Sequence, residues 1–354
     1  MTKGIDAIRQ WIVEHQADGV LITGGANRYY LSGFTGSAGA VLIMKDRRFV
    51  ISDFRYQQQI ESESPEYEFL MIDQHNPITG YLKELGLKKI GVEEGKIVYS
   101  QILDIQKNLD PVELIPLDGL MERERSVKFK EEVDEIRRAA EITDRGWEYI
   151  KEQIRPGIME KELALDLEFF IRNHGAEGIS FPIITASGCR SSLPHGRASD
   201  KIIDEGDFVT IDFGCRVNHF CSDMTRTVVV GKASDQQKKI YETVLKAQKT
   251  ALNAVRPGIT GVELDEIARN IIKDAGFGEA FGHGLGHGVG LEVHELPHIN
   301  HKGTNPMEPG MVITIEPGIY LPEPGGVRIE DLVVVTEDGF EVLSHSDKEL
   351  LEIT

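Results

Sequence analysis

The chain has few cysteines and no long apolar stretch. Its three cysteines, Cys189, Cys215 and Cys221, form an odd set without C-x-x-C spacing, which argues against both a disulfide framework and a zinc ribbon. No apolar run approaches the length that spans a bilayer, and the N-terminal segment reads as an amphipathic helix interrupted by charges rather than a signal peptide. These features predict a cytoplasmic protein with no membrane partner.

Basic residues are scarce relative to acidic ones. The 39 Lys and Arg against 58 Asp and Glu give a formal net charge of −19. Because a nucleic-acid-binding surface needs clustered Lys and Arg, this charge argues against nucleic acid as a partner. The glycine run at residues 282–290 fails G-x-G-x-x-G in every register, and G-x-x-x-x-G-K-[ST] does not occur, so nucleotide phosphate binding has no support.

What the chain does have is two pairs of acidic residues within apolar, strand-like runs. Asp212 and Asp223 lie eleven residues apart, and Glu316 and Glu330 lie fourteen apart. The Val, Thr, Ile and Phe residues around them predict two hairpins, the first of which would set its Asp side chains face to face. A buried, unpaired carboxylate costs several kcal/mol, so four of them require cations, either metal ions or the arginines close by in sequence.

A run rich in glycine and histidine lies between the two pairs. Alternate glycines let the backbone approach a site closely, and the run carries His283, His287 and His294. Four carboxylates with one imidazole form an oxygen-rich ligand set that suits Mn or Co better than a structural zinc and favours two ions sharing carboxylates. The segment from His294 to His298 also matches H-E-x-x-H, but Pro297 within it disfavours the helix that this zinc motif needs.

Together these motifs resemble those of the proline-specific pita-bread metallopeptidases, the family of aminopeptidase P and prolidase. The matching segments are Asp212-Phe-Gly, Asp223-Met-Thr-Arg-Thr, the His-Gly-x-Gly-His-Gly-x-Gly run, Ile-Glu316-Pro-Gly and Arg328-Ile-Glu330-Asp. The resemblance implies that Asp212 binds one divalent ion, that His287 and Glu316 bind the other, and that Asp223 and Glu330 bridge them. We expect manganese, with cobalt or zinc as alternatives. The resemblance also implies a homodimer whose substrates are short peptides with proline at the second position.

Roles for the residues around the ions follow from the same resemblance. Two divalent ions lower the pKa of a shared water, and Glu316 would pass its proton to the departing proline nitrogen. His294 would stabilise the oxyanion, and His195 would hold the substrate backbone. His283 and Arg328 would support the ligands through hydrogen bonds.

Specificity within the family depends on His298. A prolidase must capture the free carboxylate of a C-terminal proline, which calls for a cation near the site. In prolidases resembling this chain an arginine follows the His-Glu-x-Pro step, whereas a neutral histidine such as His298 is a poorer carboxylate clamp. We therefore expect an Xaa-Pro aminopeptidase of the aminopeptidase P type, with Xaa-Pro dipeptidase as the alternative. Methionine aminopeptidase and a non-catalytic peptide-binding homologue are weaker alternatives.

The pattern of strands and helices predicts two domains. Strand-like runs alternate with helical stretches over residues 1–125, which predicts an α/β domain. Residues 126–354 would form an α+β catalytic domain of the pita-bread type. The charged segment at residues 122–138 has no Pro or Gly and predicts a continuous helix between the two domains.

The second domain contains a concealed repeat. Arg155-Pro-Gly-Ile158 recurs 101 residues later as Arg256-Pro-Gly-Ile259, and a Glu-Leu pair follows both copies at the same offset. This repetition predicts two similar halves, each with an amphipathic helix that leads to one acidic hairpin. The resemblance implies that the halves are related by a pseudo-twofold axis and place their ligands around a common centre.

Overall fold

The structure, a computed structural model, describes residues 3–354, with side chains from Gly4 onward. Two residues of the predicted N-terminal helix, Met1 and Thr2, lie outside this range. The chain forms two compact units, one ending at Arg125 and the other beginning at Ser126. Within residues 3–354, no helix is both long and apolar enough to cross a membrane.

The first unit is a six-stranded sheet with helices on both faces. Its strands are β1 (Gly19–Ile22), β2 (Ala40–Met44), β3 (Arg48–Ser52), β4 (Glu68–Met71), β5 (Lys89–Val92) and β6 (Glu113–Pro116). Its helices are α1 (Lys3–His15), α2 (Gly25–Ser32), α3 (Gln57–Glu63), α4 (Ile78–Glu84), α5 (Tyr99–Asn108) and α6 (Leu120–Ser126). The strand order is β4-β3-β2-β1-β5-β6, in which β2 runs antiparallel to both β1 and β3 and the other pairs are parallel.

Successive side chains of this sheet point to opposite faces, and both faces of its four central strands are buried. Val20 and Val41 pack with Trp11 of α1 on one face. Leu21 packs with Leu82 of α4 on the other face. Because β1, β2 and β3 are covered on both sides, they appear in the sequence as continuous apolar runs, which is why they could be predicted.

The continuous helix predicted for residues 122–138 is interrupted after α6. Val127 leaves the helix and forms an isolated β-bridge with Met311. The buried Lys128 ammonium donates a hydrogen bond to Glu295 Oε2 at 3.2 Å. These long-range contacts override local helix propensity, so this prediction was wrong.

The second unit contains two similar halves. Its helices are α7 (Lys130–Lys151), α8 (Glu160–Asn173), α9 (Asp235–Leu252) and α10 (Gly261–Asp274). Its strands are β7 (Gly178–Ile179), β8 (Ile184–Ser187), β9 (Phe208–Phe213), β10 (Cys215–Val217), β11 (Phe220–Cys221), β12 (Met224–Val230), β13 (Gly286–Gly288), β14 (Glu295–Ile299), β15 (Val312–Ile315), β16 (Gly318–Tyr320), β17 (Gly326–Arg328), β18 (Asp331–Val335), β19 (Phe340–Val342) and β20 (Glu352–Ile353). The pair α7 and α8 precedes the sheet β20-β12-β9-β8, and the pair α9 and α10 precedes the sheet β14-β13-β15-β18-β19.

The entrances to α8 and α10 are equivalent in detail. Gly157, with φ of 87°, donates its N–H to Ile203 O, and Gly258, with φ of 84°, donates to Met307 O. Both helices that follow have 14 residues. Glycine adopts positive φ at little cost, which explains why Arg-Pro-Gly-Ile recurs at these turns. The predicted internal repeat is therefore present.

Each half carries two of the four acids on or immediately beside an antiparallel strand pair, β9 with β12 and β15 with β18. The register of the first pair sets Asp212 opposite Thr225 rather than opposite Asp223. The chain leaves this ladder after β9 to form the β10–β11 hairpin, and Asp223 lies where it returns. The direct face-to-face arrangement of the two Asp residues was therefore a wrong prediction.

Candidate metal centre

The five predicted metal ligands lie at neighbouring strand ends of the two halves. Asp212 is near the end of β9, Asp223 immediately precedes β12, Glu316 immediately follows β15, and Glu330 immediately precedes β18. His287 lies in β13, which pairs with β15. The four acids repel one another electrostatically, and the Glu316 carboxylate contacts the His287 ring. The structure therefore brings all five together.

Three carboxylate oxygens of this cluster are buried and, in the part of the chain that the structure describes, receive no hydrogen bond. They are Asp212 Oδ1, Asp223 Oδ1 and Glu330 Oε1. Asp223 is 5% exposed and Glu330 is 1% exposed. A buried acceptor without a donor costs roughly 1–3 kcal/mol, and more if it is charged. A cation bound among these oxygens would remove that cost.

Burial and mutual repulsion raise the pKa of three of these acids. For Asp223, loss of hydration followed by repulsion from Glu330 raises the pKa well above its usual range. Burial, followed by repulsion from Glu316, raises the pKa of Glu330 well above its usual range. Burial also raises the pKa of Asp212, although the Arg328 guanidinium opposes this effect. The protein alone therefore disfavours full ionisation of the cluster, whereas divalent cations would favour it.

Glu316 is the acid of the cluster whose pKa the surrounding protein lowers. Its Oε1 lies 3.3 Å from His287 Nε2 and accepts a hydrogen bond from Thr314 Oγ1 at 3.2 Å. Burial acts to raise the pKa of Glu316, but the hydrogen bond and charge of His287 outweigh burial and lower the pKa to about 2. Against the lowering effect of burial, Glu316 raises the pKa of His287 in turn. A metal ion at Nε2 would take the place of a proton on that nitrogen.

The donor set fits divalent metal ions. One ligand atom each from Asp223, His287 and Glu330 lies within 4.8 Å of the others. Carboxylate oxygens with one imidazole nitrogen are the ligands preferred by ions such as Mn²⁺, Co²⁺ and Zn²⁺. Convergent anionic ligands, burial and carboxylate oxygens without donors are together the properties expected of a metal centre.

A series of hydrogen bonds runs from the candidate ligand Asp212 to His283. Arg328 donates from Nη2 to Asp212 Oδ2 at 2.6 Å and from Nη1 to Tyr320 Oη at 2.9 Å. Tyr320 Oη lies 2.8 Å from His283 Nε2. The residues predicted to support the ligands, His283 and Arg328, are therefore joined through Tyr320, which was not predicted. Tyr320 lies an even number of residues after Glu316 in extended chain, and this spacing could have indicated that both side chains lie on the same face.

Thr225 is a second residue of the centre that was not predicted. Its hydroxyl donates to Glu330 Oε2 at 2.7 Å and accepts from Arg328 Nε at 3.0 Å. It lies opposite Asp212 in the β9–β12 register and two residues after Asp223. Strand alternation therefore places Thr225 on the ligand face, a spacing already visible in the sequence.

The remaining predicted histidines, His195, His294 and His298, are exposed. The His294 ring centroid is 4.4 Å from that of His287, and His195 lies close enough to interact electrostatically with both His294 and His283. Burial, followed by the neighbouring His287, lowers the pKa of His294, so this imidazole is neutral near pH 7. His298 is exposed and pairs with His287 in the β13–β14 ladder. Because β14 is a strand, the H-E-x-x-H match does not form the helical zinc motif.

Both units match known families. The profile of Metallopeptidase family M24 matches residues 134–337, which include all five candidate ligands. The profile of the Creatinase/Prolidase N-terminal domain matches residues 5–127. These matches confirm the predicted fold class and the resemblance to pita-bread metallopeptidases.

Similarity to individual proteins extends over the whole chain. An Xaa-Pro dipeptidase from Pyrococcus furiosus is 41% identical over 99% of this chain and 100% of the relative. The solved structure of an Xaa-Pro dipeptidase from Bacillus anthracis superposes with a TM-score of 0.96 at 44% identity and covers 99% of both chains. An X-Pro aminopeptidase from Thermotoga maritima superposes with a TM-score of 0.88 at 40% identity, covering 96% of this chain and 98% of that one.

Proposed function

The chain belongs to metallopeptidase family M24, and from this membership we propose that it is an Xaa-Pro dipeptidase, which cleaves dipeptides whose second residue is proline. The observation that carries the proposal is the convergence of four acids with His287, which leaves three buried carboxylate oxygens without donors within residues 3–354. Full-length similarity to the dipeptidases from Pyrococcus furiosus and Bacillus anthracis supports this activity. It favours the dipeptidase alternative over the aminopeptidase P activity expected from His298.

We assign the metal ligands as the resemblance implies. Asp212 would hold one divalent ion, His287 and Glu316 the other, and Asp223 and Glu330 both. Two ions, with manganese as the native metal, are part of this proposal. When bound, such ions polarise a peptide carbonyl and lower the pKa of water towards neutrality.

Glu316 is the proposed proton carrier. The proline nitrogen must gain a proton before it leaves, and an ionised carboxylate beside the reacting water can accept that proton and deliver it. In the metal-free protein the pKa of Glu316 is low and the carboxylate is ionised; bound divalent ions would favour the ionised form in place of the His287 proton. Its hydrogen bond from Thr314 fixes one oxygen and thereby the direction of the carboxylate plane.

Two histidines are the proposed contacts to the substrate. His294 is neutral near pH 7, so one ring nitrogen carries a proton that can be donated to the oxygen of the peptide carbonyl as negative charge develops there. His195, which lies within electrostatic reach of His294, would hold the peptide backbone. Arg328 orients Asp212 through the 2.6 Å bond between them and does not contact the substrate in this scheme.

Xaa-Pro aminopeptidase is the second candidate, and two observations favour it. His298 is exposed on the strand that pairs with β13, where a permanently charged arginine would bind a proline carboxylate more strongly. The aminopeptidase from Thermotoga maritima is also similar over most of both chains.

A peptide panel separates these activities. Protein stripped with a chelator and reconstituted with Mn²⁺, Co²⁺ or Zn²⁺ is given Ala-Pro, Ala-Pro-Ala and Met-Ala-Ser. The proposal expects Ala-Pro to be cleaved fastest. Cleavage of Ala-Pro-Ala without Ala-Pro would establish the second candidate, and cleavage of Met-Ala-Ser would indicate a methionine aminopeptidase. A folded protein that cleaves none of the three with any metal would be a non-catalytic homologue.

The homodimer and the cytoplasmic location expected from the sequence belong to the same proposal. Residues 27–39 resemble the loop that borders the active site across a dimer in this family. Sedimentation of the metal-loaded protein tests the dimer directly, and a monomer with full dipeptidase activity would contradict it.

A further inference from the structure

We propose that Glu160, the first residue of α8, is a positioning residue that fixes the loop bearing His195. This loop comprises residues 188–198, and we call it the His195 loop. The inference rests on the proposed function, in which His195 holds the substrate peptide. By fixing the base of the loop, Glu160 sets how tightly the substrate is held.

Each carboxylate oxygen of Glu160 binds one end of the His195 loop. Glu160 is 0% exposed. Its Oε1 accepts hydrogen bonds from Ser187 N at 2.8 Å and Ser187 Oγ at 2.9 Å. Its Oε2 accepts from Ser199 N at 3.0 Å and Ser199 Oγ at 2.6 Å. Because Ser187 and Ser199 immediately flank the loop, a single side chain closes it at its base. Hydrogen bonds to an ionised carboxylate are about twice as strong as neutral ones.

Two basic side chains make further contacts at the point where the His195 loop begins and ends. Arg190 donates from Nε to Glu160 Oε2 at 3.1 Å and from Nη2 to Arg197 O at 2.7 Å, which braces the loop internally. Lys201 Nζ donates to Ser187 Oγ at 3.0 Å. Arg190, which forms an ion pair with Glu160, therefore balances its charge, as a buried carboxylate requires.

The loop is also tied to the metal centre. Arg328 Nη1 donates to Pro194 O at 3.2 Å, and Nη2 of the same guanidinium donates to Asp212 Oδ2 at 2.6 Å. Pro194 immediately precedes His195. His195, which would hold the peptide, is thus connected to the metal ligands through Arg328 and to α8 through Glu160.

A simpler explanation is that Glu160 only stabilises the start of a helix, where acids are favourable. The internal repeat argues against this explanation. The equivalent residue 101 positions later is Gly261, the first residue of α10. A helix of the same length therefore begins there without the carboxylate, behind a capping box formed by Thr260 and Glu263. Gly261 instead packs on the strand backbone, where an added Cβ would lie 2.1 Å from His298 O.

The Glu160→Gln variant tests this role with little change in side-chain size. Its amide group replaces one acceptor with a donor that faces the donors of Ser187 or Ser199, so the loop loses one of its two anchors. We expect KM for Ala-Pro to rise about tenfold while kcat changes less than about threefold, because loss of a substrate-holding contact weakens uniform binding. Ser199→Ala, which removes one hydroxyl, should shift KM in the same direction by less.

Two comparisons distinguish positioning from general damage. Glu168→Gln makes the same chemical change on α8, at a residue paired with Arg172 on the surface, and should leave both constants unchanged. If Glu160 acts through His195, then Glu160→Gln should add little to the KM of a His195→Ala protein. The metal affinity of Glu160→Gln, measured by titration, should equal that of the wild type.

Additive effects of Glu160→Gln and His195→Ala on KM would overturn the proposal. Hydrogen exchange of the metal-loaded protein gives a readout independent of activity. Amide protection in residues 188–198 should fall in Glu160→Gln while protection in the rest of α8 is retained. Unchanged protection of the loop would overturn the positioning role even if the wild type cleaved no peptide. An inactive wild type with loop protection that depends on Glu160 would contradict the proposed function alone.

Discussion

Replacing Asp223 with asparagine should stabilise the metal-free protein and destroy the activity of the metal-loaded one. Asp223 is 5% exposed, its Oδ1 has no donor within residues 3–354, and it faces the repulsion of Glu330 and Asp212. Without metal, its charge is therefore a cost to folding. Asparagine has the same shape as protonated aspartate and removes that cost.

The size of the effect depends on pH, and its sign follows from the raised pKa. The pKa of Asp223 in the folded protein lies well above its usual range, chiefly because of burial. Above the unfolded-state pKa of about 3.9, the folded state holds more protons at this site than the unfolded state, so the free energy of unfolding falls as pH rises. One proton limits this slope to about 1.4 kcal/mol per pH unit. We expect Asp223→Asn to be nearly neutral at pH 4 and stabilising by about 1–3 kcal/mol at pH 7.

The assay is urea unfolding at pH 4 to 8 after removal of metal with a chelator. The chain has two tryptophans, of which Trp147 is buried in the second unit and Trp11 in the first. A Trp11→Phe background therefore confines the fluorescence signal to the unit that contains Asp223. Glu242→Gln, a change at an exposed residue of α9, is the control and should show no such dependence on pH.

Metal should reverse the order of stability. Metal at a hundred times its dissociation constant adds about 2.7 kcal/mol to a protein that binds it, and Asp223→Asn should lose most of that gain. A variant that is less stable than the wild type without metal at pH 7 would refute the reasoning, because the Asp223 carboxylate would then be satisfied by the protein alone.

Three further changes test other parts of the site. Glu316→Gln should lower kcat by about a thousandfold or more, because the proton carrier is removed. Its unfolding curve should be unchanged, because the packing is kept. Steady-state rates measure the first effect and circular dichroism the second. Arg328→Lys should weaken metal binding about 10- to 100-fold, because one ammonium cannot hold both Asp212 and Tyr320, and calorimetric titration with Mn²⁺ measures it. His298→Arg should lower KM for Ala-Pro relative to Ala-Pro-Ala if a cation there binds the proline carboxylate; unchanged dipeptide kinetics would exclude His298 as the carboxylate-binding position.

The candidate ligands could be proposed from the sequence because each acid lies within or beside an apolar, strand-like run. An acid such as Asp212 or Glu330 within a run of Val and Ile conflicts with burial unless a cation is present, and that conflict needs no tertiary information to be seen. The internal repeat was equally visible, since the turns at Gly157 and Gly258 require the same backbone conformation and therefore the same residue.

The register of the strands and the contacts between residues far apart in the chain could not be predicted from the sequence. The Asp212 and Asp223 side chains are offset because the intervening chain forms a separate hairpin, which local propensity does not encode. The predicted junction helix failed for a similar reason, since the contacts of Val127 and Lys128 that interrupt it come from residues far along the chain. Aminopeptidase P specificity was inferred from His298 alone, and one exposed side chain carries less information than similarity over the full length.

The sequence by itself determined which residues are chemically costly to bury, and through them the fold family and the metal-binding character of this chain. The tertiary structure decided which atoms satisfy those residues. Thr225 and Glu330 are 105 positions apart, and Arg328 and Asp212 are 116 apart, so their hydrogen bonds exist only once both halves have folded against each other. Which residues tend to be buried follows from residue type and sequence pattern. A hydrogen bond instead requires its donor and acceptor to lie within a narrow range of distance, which only the packed chain sets.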